Sequence, residues 1–142
     1  MSTKRLYFGH PVNVYGTELE KKLLVEIARI FPEWEVVNPG DPVHEPRYQQ
    51  LRAQGRGMSY YFDEVLPLCD GGVFLAFSDG AWGRGVFSEA EFLVANTKRV
   101  WQIQPSGHIH VLNIRLSHRV LDVESTRARV RLPSGALRPY EL

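Results

Sequence analysis

Two spacings of apolar residues alternate along the first hundred residues of the chain. Short apolar runs bounded by glycine or proline are typical of buried strands, and they lie at 5–9, 34–38, 71–77 and 99–104. Apolar residues that recur every three or four positions are typical of helices, and they lie at 17–31, at 59–66 and in a segment ending near 96. The polar segment 43–57 predicts a loop with a short helix.

Strands that alternate with helices predict a three-layer α/β domain built on a parallel sheet. The run 71–77, GGVFLAF, is apolar on both faces and predicts the central strand. A fifth strand is predicted within 108–116, and a short helix capped by Asp122 follows it. The length of 142 residues fits one domain, with a mostly parallel five-stranded sheet.

Composition narrows the class of protein. Hydrophobic residues make up 44% and charged residues 23% of the chain, which is typical of a soluble globular protein. The formal net charge of +1 gives no electrostatic reason to expect a nucleic-acid or membrane partner. A single cysteine, Cys69, favours a reducing compartment, and the first ten residues lack the apolar core of a signal peptide. We therefore expect a cytoplasmic protein.

Three predicted strands end in residues that could contact a ligand. They end at Tyr7-Phe8-Gly9-His10, at Asn38-Pro39-Gly40-Asp41 and at Phe77-Ser78-Asp79-Gly80. In open α/β sheets, ligands bind beyond the carboxyl ends of the strands. The loop 10–16 also leads to a helix N-terminus, which favours an anion, although the loop could equally be a plain connection.

The segment after the central strand brings two glutamates together. Ser88 and Glu91 have the spacing of a capping box, which accounts for Glu91 and predicts a helix N-terminus at Ser88. Glu89 would then lie in the first turn, where the helix dipole favours its ionised form. Such a carboxylate can serve as a nucleophile, or it can be an exposed glutamate with no further role.

Three stretches resemble the nucleoside 2-deoxyribosyltransferase-like superfamily, which includes nucleoside deoxyribosyltransferases, nucleotide N-glycosidases and small uncharacterised bacterial and phage proteins. The first strand, LYFG, resembles the superfamily's aromatic and glycine opening, and CDGGVFLAF resembles its central strand. The segment 85–100 resembles its glutamate signature and aligns Glu89 with the catalytic glutamate. The likeness covers about 5–103; the extension 105–142 is unassigned.

The resemblance implies a flavodoxin- or Rossmann-like fold and cleavage or transfer of the N-glycosidic bond of a (deoxy)nucleoside or its 5′-monophosphate. Glu89 would attack the anomeric carbon and form a covalent glycosyl-enzyme. Asp79 or Asp63 would orient the base or donate a proton to it, and Tyr7 would contact the sugar or Glu89. The resemblance implies no cofactor and no metal, a small-molecule nucleoside or nucleotide as ligand, and a homodimer or higher homo-oligomer.

The substrate would lie against the strand ends and the glycine turn, and the loop 10–16 could hold a 5′-phosphate. The predicted substrate-binding residues are Phe8, Gly9, His10, Pro11, Asn38, Ser78, Gly83 and Gly85.

Each of these roles has a plainer alternative. Tyr7 could be a core aromatic, Asp63 a surface helix residue, Asp79 a turn residue and His10 an exposed loop residue. For the whole chain, the rival hypothesis is a nucleotide-binding or sensing module without turnover. A third hypothesis is an interaction domain with no small ligand.

Overall fold

A computed structural model describes residues 3–142 as an α/β chain with one five-stranded sheet. The strands are arranged in the order β2-β1-β3-β4-β5. The strands β1 to β4 are parallel to one another, whereas β5 runs antiparallel to β4, so the sheet is mixed. Their bounds are β1 Lys4–Gly9, β2 Trp34–Val37, β3 Gly71–Phe74, β4 Arg99–Ile103 and β5 Ile109–Val111.

Within residues 3–142, five α-helical segments connect and flank these strands. They are α1 Glu18–Ile30, α2 Glu45–Ala53, α3 Gly57–Ser59, α4 Arg84–Ala95 and α5 Val123–Val130. The predicted helix at 59–66 is instead a π-helical turn, Tyr60–Val65, followed by a 3₁₀ turn, Leu66–Leu68. Pro67 lies within that last turn, where its ring and missing N–H prevent a regular α-helix. Within residues 3–142, no helix is long and apolar enough to cross a bilayer.

The two central strands, β1 and β3, supply side chains to two separate hydrophobic clusters. Leu6 and Phe8 pack with α1 residues, whereas Tyr7 packs with α4 residues. Every residue of β3 is buried, as its apolar run predicted. Alternation along β1 therefore directs the Tyr7 side chain toward the helix that carries Glu89.

The spacing of Thr17 and Glu20 in the sequence also predicts a capping box, and the two predicted capping boxes have different outcomes. The first is confirmed in part: the Oγ1 atom of Thr17 accepts a hydrogen bond from the Glu20 N–H at 3.2 Å, although the Glu20 carboxylate bonds elsewhere. The second is wrong. Helix α4 begins at Arg84 with Gly83 as its N-cap, so Ser88 lies inside the helix and Glu91 is exposed on its surface. Glu89 is consequently in the second turn of α4.

The C-terminal segment, unassigned from sequence, folds against the start of α4. Trp82 forms a short β-bridge with this segment: its N–H donates to the Arg119 carbonyl at 2.8 Å, and its carbonyl accepts from the Leu121 N–H at 2.9 Å. Helix α5 follows, capped by Asp122 as predicted. The Arg84 N–H donates to Thr126 of α5 at 2.9 Å, which fixes α5 beside the first turn of α4.

Candidate active site

The centre of the candidate site is a buried carboxylate bonded to a buried phenol. The Tyr7 hydroxyl donates a hydrogen bond to Glu89 Oε2 at 2.5 Å. Tyr7 is 1% exposed and Glu89 is 8% exposed. The contact joins the first strand to α4, and it fixes one carboxyl oxygen while leaving Oε1 with no hydrogen-bond donor among residues 3–142. A carboxyl group with one anchored and one free oxygen is suited to attack on a carbon atom.

Burial controls the charge of this carboxyl group. It raises the pKa of Glu89 to about 8, and the Tyr7 hydrogen bond, which favours the charged form, offsets it only in part. The expectation that a helix dipole keeps Glu89 ionised is wrong, because the N-cap of α4 lies six residues earlier, at Gly83. At pH 7 only about one chain in ten therefore carries a charged Glu89.

Glu89 lies on a cleft of about 840 Å³ beyond the carboxyl ends of the parallel strands. Three tyrosines line this cleft, and they come from three different segments: Tyr15, Tyr48 and Tyr61. Burial, followed by the nearby Glu89 charge, raises the pKa of both Tyr15 and Tyr61, so both phenols keep their protons at neutral pH. Phenol rings offer flat apolar faces with a polar edge, which suits a heteroaromatic base or a sugar.

The structure brings five of the predicted site residues together along this cleft: His10, Pro11, Gly83, Gly85 and Glu89. Gly9, another predicted site residue, does not line the cleft but packs against Glu89. A Cβ atom on Gly9 would overlap the Phe74 ring and lie 3.3 Å from Glu89 Oε1. Gly9 therefore allows the close packing that holds Glu89 in place.

Other predicted site residues lie elsewhere. Phe8 is fully buried on the α1 side of the sheet, where its ring stacks on His10 with 4.1 Å between centroids. Asn38 lines a separate cavity next to β2, and its side chain accepts from the Gly40 N–H. Asp63 is exposed on the π-helical turn. Within residues 3–142, none of these three lines the Glu89 cleft.

Asp79 is held away from the cleft by an ion pair. Its carboxylate lies 2.8 Å from Arg129 and 3.4 Å from Arg119, in a cavity that Ser78 also lines. The Arg129 hydrogen bond lowers the pKa of Asp79 to about 2. Because Asp79 is ionised at neutral pH, it cannot donate a proton to a departing base. Its role is in the turn after the central strand, where it also caps the Ala81 N–H.

His10 belongs to a buried ion pair, so the exposed-loop alternative for it is wrong. Its Nδ1 atom lies 2.8 Å from the Phe8 carbonyl oxygen and its Nε2 atom lies 2.8 Å from Glu20 Oε2. Burial acts to raise the pKa of Glu20, but the hydrogen bond and charge of His10, with help from Gly16 and Asn38, lower it below the usual value. Glu20 is thus a carboxylate that His10 and the Gly16 N–H hold in place.

This ion pair also occupies the predicted anion site in the loop 10–16. The Gly16 N–H donates to Glu20 Oε1 at 3.2 Å, and the N–H groups of Val14 and Tyr15 donate to carbonyls within the loop. The helix N-terminus of α1 already holds a carboxylate of its own. A substrate phosphate would have to displace it, so the structure gives this loop no support as a phosphate site.

The sequence did not predict that α2 and α5 line the cleft. Helix α2 supplies Tyr48 and Arg52, α5 supplies Arg127, and Arg131 directly follows α5. The short helix predicted within 43–57 is confirmed as α2, but nothing in that polar segment indicates that it lines the cleft. The stretch 122–130, DVESTRARV, predicted a short helix correctly, but nothing local indicates that this helix packs beside α4.

Neither a metal site nor a known relative assigns a function to the cleft. Across residues 3–142, no group of three or more His, Cys, Asp or Glu side chains is arranged to hold a metal ion. Comparison with protein-family models finds no match for the chain, and comparison with curated proteins finds none either. The resemblance to the nucleoside 2-deoxyribosyltransferase-like superfamily therefore rests on the residues described above.

Proposed function

We propose that this protein cleaves or transfers the N-glycosidic bond of a (deoxy)nucleoside or nucleoside 5′-monophosphate, with Glu89 as the nucleophile. The observation that carries the proposal is the buried Glu89 carboxyl group, anchored by Tyr7 on a tyrosine-lined cleft. With the activity we propose the finer fold that the resemblance implies, a three-layer flavodoxin- or Rossmann-like sandwich. Assembly as a homo-oligomer stays a prediction.

The proposed reaction begins with ionised Glu89. Its free Oε1 atom attacks the anomeric carbon, the carbon–nitrogen bond breaks, and the electron pair of that bond leaves with the base. Tyr15 and Tyr61 keep their protons and can donate a hydrogen bond to the departing base. Water, or the N–H nitrogen of a second base, then attacks the same carbon, its proton passes to the departed base, and the carbon–oxygen bond to Glu89 breaks to release a carboxylate.

Chromatography of free base tests this proposal. We expect the wild-type chain to release base from at least one member of a panel of ribo- and deoxyribonucleosides and their 5′-monophosphates. Glu89→Gln, prepared in parallel, measures any contaminating hydrolase. Release that is equal in both preparations, or absent from both for every substrate, would contradict the proposal.

Removing the Tyr7 hydroxyl should move the pH dependence of base release. In Tyr7→Phe the carboxylate loses the hydrogen bond that favours its charged form, so the pKa of Glu89 rises further above 8. We expect the midpoint of the rate-against-pH curve to move up by about one unit, which slows release at pH 7 about tenfold.

The matched control for Tyr7→Phe is Tyr140→Phe. The Tyr140 hydroxyl donates to the Ala76 carbonyl and lines a different cavity, so its loss should leave the midpoint of the curve unchanged. An unchanged midpoint in Tyr7→Phe would show that the Tyr7 hydrogen bond does not set the charge of Glu89.

One observation favours a second candidate function, a nucleotide-binding or sensing module without turnover. Glu89 is mostly protonated at pH 7, and neither Asp63 nor Asp79 lines the cleft to assist it. A protonated carboxyl group can donate a hydrogen bond to a ligand without attacking it. Calorimetric binding of one of the panel nucleotides, together with no base release between pH 6 and pH 9, would favour this function.

A further inference from the structure

The charged residues of the Glu89 cleft are unevenly distributed. Three arginines line it, Arg52 on α2 and Arg127 and Arg131 at the end of α5. Within residues 3–142, no carboxylate lies within 4.0 Å of the guanidinium group of any of the three. Besides Glu89, two carboxylates line the cleft, Asp41 and Glu45, and both lie on the segment leading into α2.

Both of these carboxylates have local partners. Asp41 accepts a hydrogen bond from the Val43 N–H at 2.9 Å, and Glu45 accepts one from the Gln49 side chain at 2.7 Å. Asp41 thus caps the turn before α2, and Glu45 lies in the first turn of α2, where the helix dipole favours its charge. The α5 wall of the cleft keeps its positive charge.

Arg127 lies on α5 and Arg131 is the residue that follows this helix, and both line the cleft. Each guanidinium group carries a positive charge and five N–H donors. One Arg131 nitrogen donates to the Gly135 carbonyl at 2.8 Å, which orients the group and leaves most of its N–H donors unused. An anion in the cleft beside the two arginines would accept hydrogen bonds from these donors.

The adjoining first turn of α4 adds backbone donors to the same wall. Its N-cap is Gly83, which has no side chain to cap the helix, and the first turn holds no acidic residue. Space is open at Gly85, where a Cβ atom would meet nothing within 4 Å. The helix dipole there is positive and reinforces the charge of the arginines.

We propose that Arg127 and Arg131 bind the phosphate group of the substrate, which makes the preferred substrate a nucleoside 5′-monophosphate. This inference rests on the proposed function, since it assigns the part of the substrate that lies away from Glu89. It gives the C-terminal extension a direct role in specificity. It also moves the phosphate from the loop 10–16, where Glu20 already occupies the helix N-terminus, to the opposite end of the chain.

Calorimetry on chains that cannot turn over separates this inference from the activity. Each nucleoside and its 5′-monophosphate are titrated into Glu89→Gln and into Glu89→Gln with Arg127→Ala and Arg131→Ala added. We expect the monophosphate to bind the parent at least tenfold more tightly than the nucleoside. In the arginine variant this advantage should fall at least tenfold, while nucleoside affinity stays within about twofold, because charge-assisted hydrogen bonds to phosphate are lost.

The charge-matched control adds Arg99→Ala and Arg115→Ala to the Glu89→Gln background, because both arginines are exposed and neither lines any of the three cavities. It should keep the full preference for the monophosphate. Equal preference in the arginine variant and its parent would overturn the inference. So would equal losses of nucleoside and nucleotide affinity, or no binding of either ligand by the parent. A preserved phosphate preference with no base release by the wild type would overturn the proposed function alone.

Discussion

Glu89→Gln is expected to make the protein inactive and more stable at the same time. Base release should fall by at least about a thousandfold, because glutamine offers no carboxylate to attack the anomeric carbon. The free energy of unfolding should rise by on the order of 4 kcal/mol at pH 8, since each unit of raised pKa corresponds to about 1.4 kcal/mol. Glutamine keeps an acceptor for the Tyr7 hydroxyl and carries no charge that needs water.

The sign of the stability effect depends on pH. Burial raises the pKa of Glu89 from its ordinary value of 4.5 to about 8. Between these values the unfolded chain carries the charged group and the folded chain the neutral one, so folding takes up a proton and stability falls as pH rises. The difference between wild type and Glu89→Gln should therefore be near zero below pH 4.5, grow up to about pH 8 and then level off.

Urea unfolding of both chains at pH 4.5, 6, 7 and 8.5 measures this difference. Glu91→Gln is the matched control, because Glu91 is exposed on the same helix and its replacement should change stability little at every pH. A Glu89→Gln chain that is less stable than wild type at pH 8.5 would mean that the buried carboxylate has a partner that the structure does not contain.

Glu20→Ala is expected to destabilise the fold by about 3 kcal/mol, although Glu20 lies outside the hydrophobic clusters. Removing this carboxylate leaves buried hydrogen-bonding groups without their partner, and each such group typically costs about 1–3 kcal/mol. Here the remaining partner is His10, which is 3% exposed and has its other nitrogen bonded to the Phe8 carbonyl. The Gly16 N–H would also lose its acceptor.

The pH dependence of the Glu20 effect has the opposite sign to that of Glu89. The pKa of Glu20 is lower in the folded chain than the ordinary 4.5, so its stabilising contribution is present above pH 4.5 and is lost as pH falls through the lower folded value. Thermal unfolding at pH 7 and pH 3 should show a large difference between wild type and Glu20→Ala at the first pH and a smaller one at the second.

Glu18→Ala is the control for this substitution on the same helix. The Glu18 side chain is 91% exposed and pairs only with Lys21, so its loss should change the melting temperature little. Equal melting temperatures for Glu20→Ala and Glu18→Ala would show that the buried ion pair contributes nothing to stability.

Local patterns predicted the elements of this fold better than they predicted the site. The apolar runs gave four of the strands to within a few residues, and Thr17 caps α1 as its spacing indicated. The same spacing at Ser88 and Glu91 predicted a helix start wrongly, because α4 already begins after its N-cap Gly83. A capping pattern indicates a helix start only when no earlier residue begins the helix.

The site depends on contacts between distant parts of the chain. The charge of Glu89 is set by burial and by Tyr7, which is 82 positions away, and Asp79 is removed from the site by Arg129, 50 positions away. Neither contact leaves a local pattern. Hydrogen bonds from Trp82 and Arg84 likewise fix the position of α5, and their partners lie in the extension 105–142, for which the sequence predicted no role.

The buried Glu89 has an evolutionary consequence. Codons for glutamate and glutamine differ at a single nucleotide, so one mutation would convert the candidate enzyme into a more stable chain with an intact cleft. Replacement of Glu89 by glutamine would therefore remove turnover and raise the free energy of unfolding, so only selection for catalysis opposes it. Homologous chains with glutamine at this position would be expected to keep Tyr7 and the cleft while acting as receptors for the same ligand.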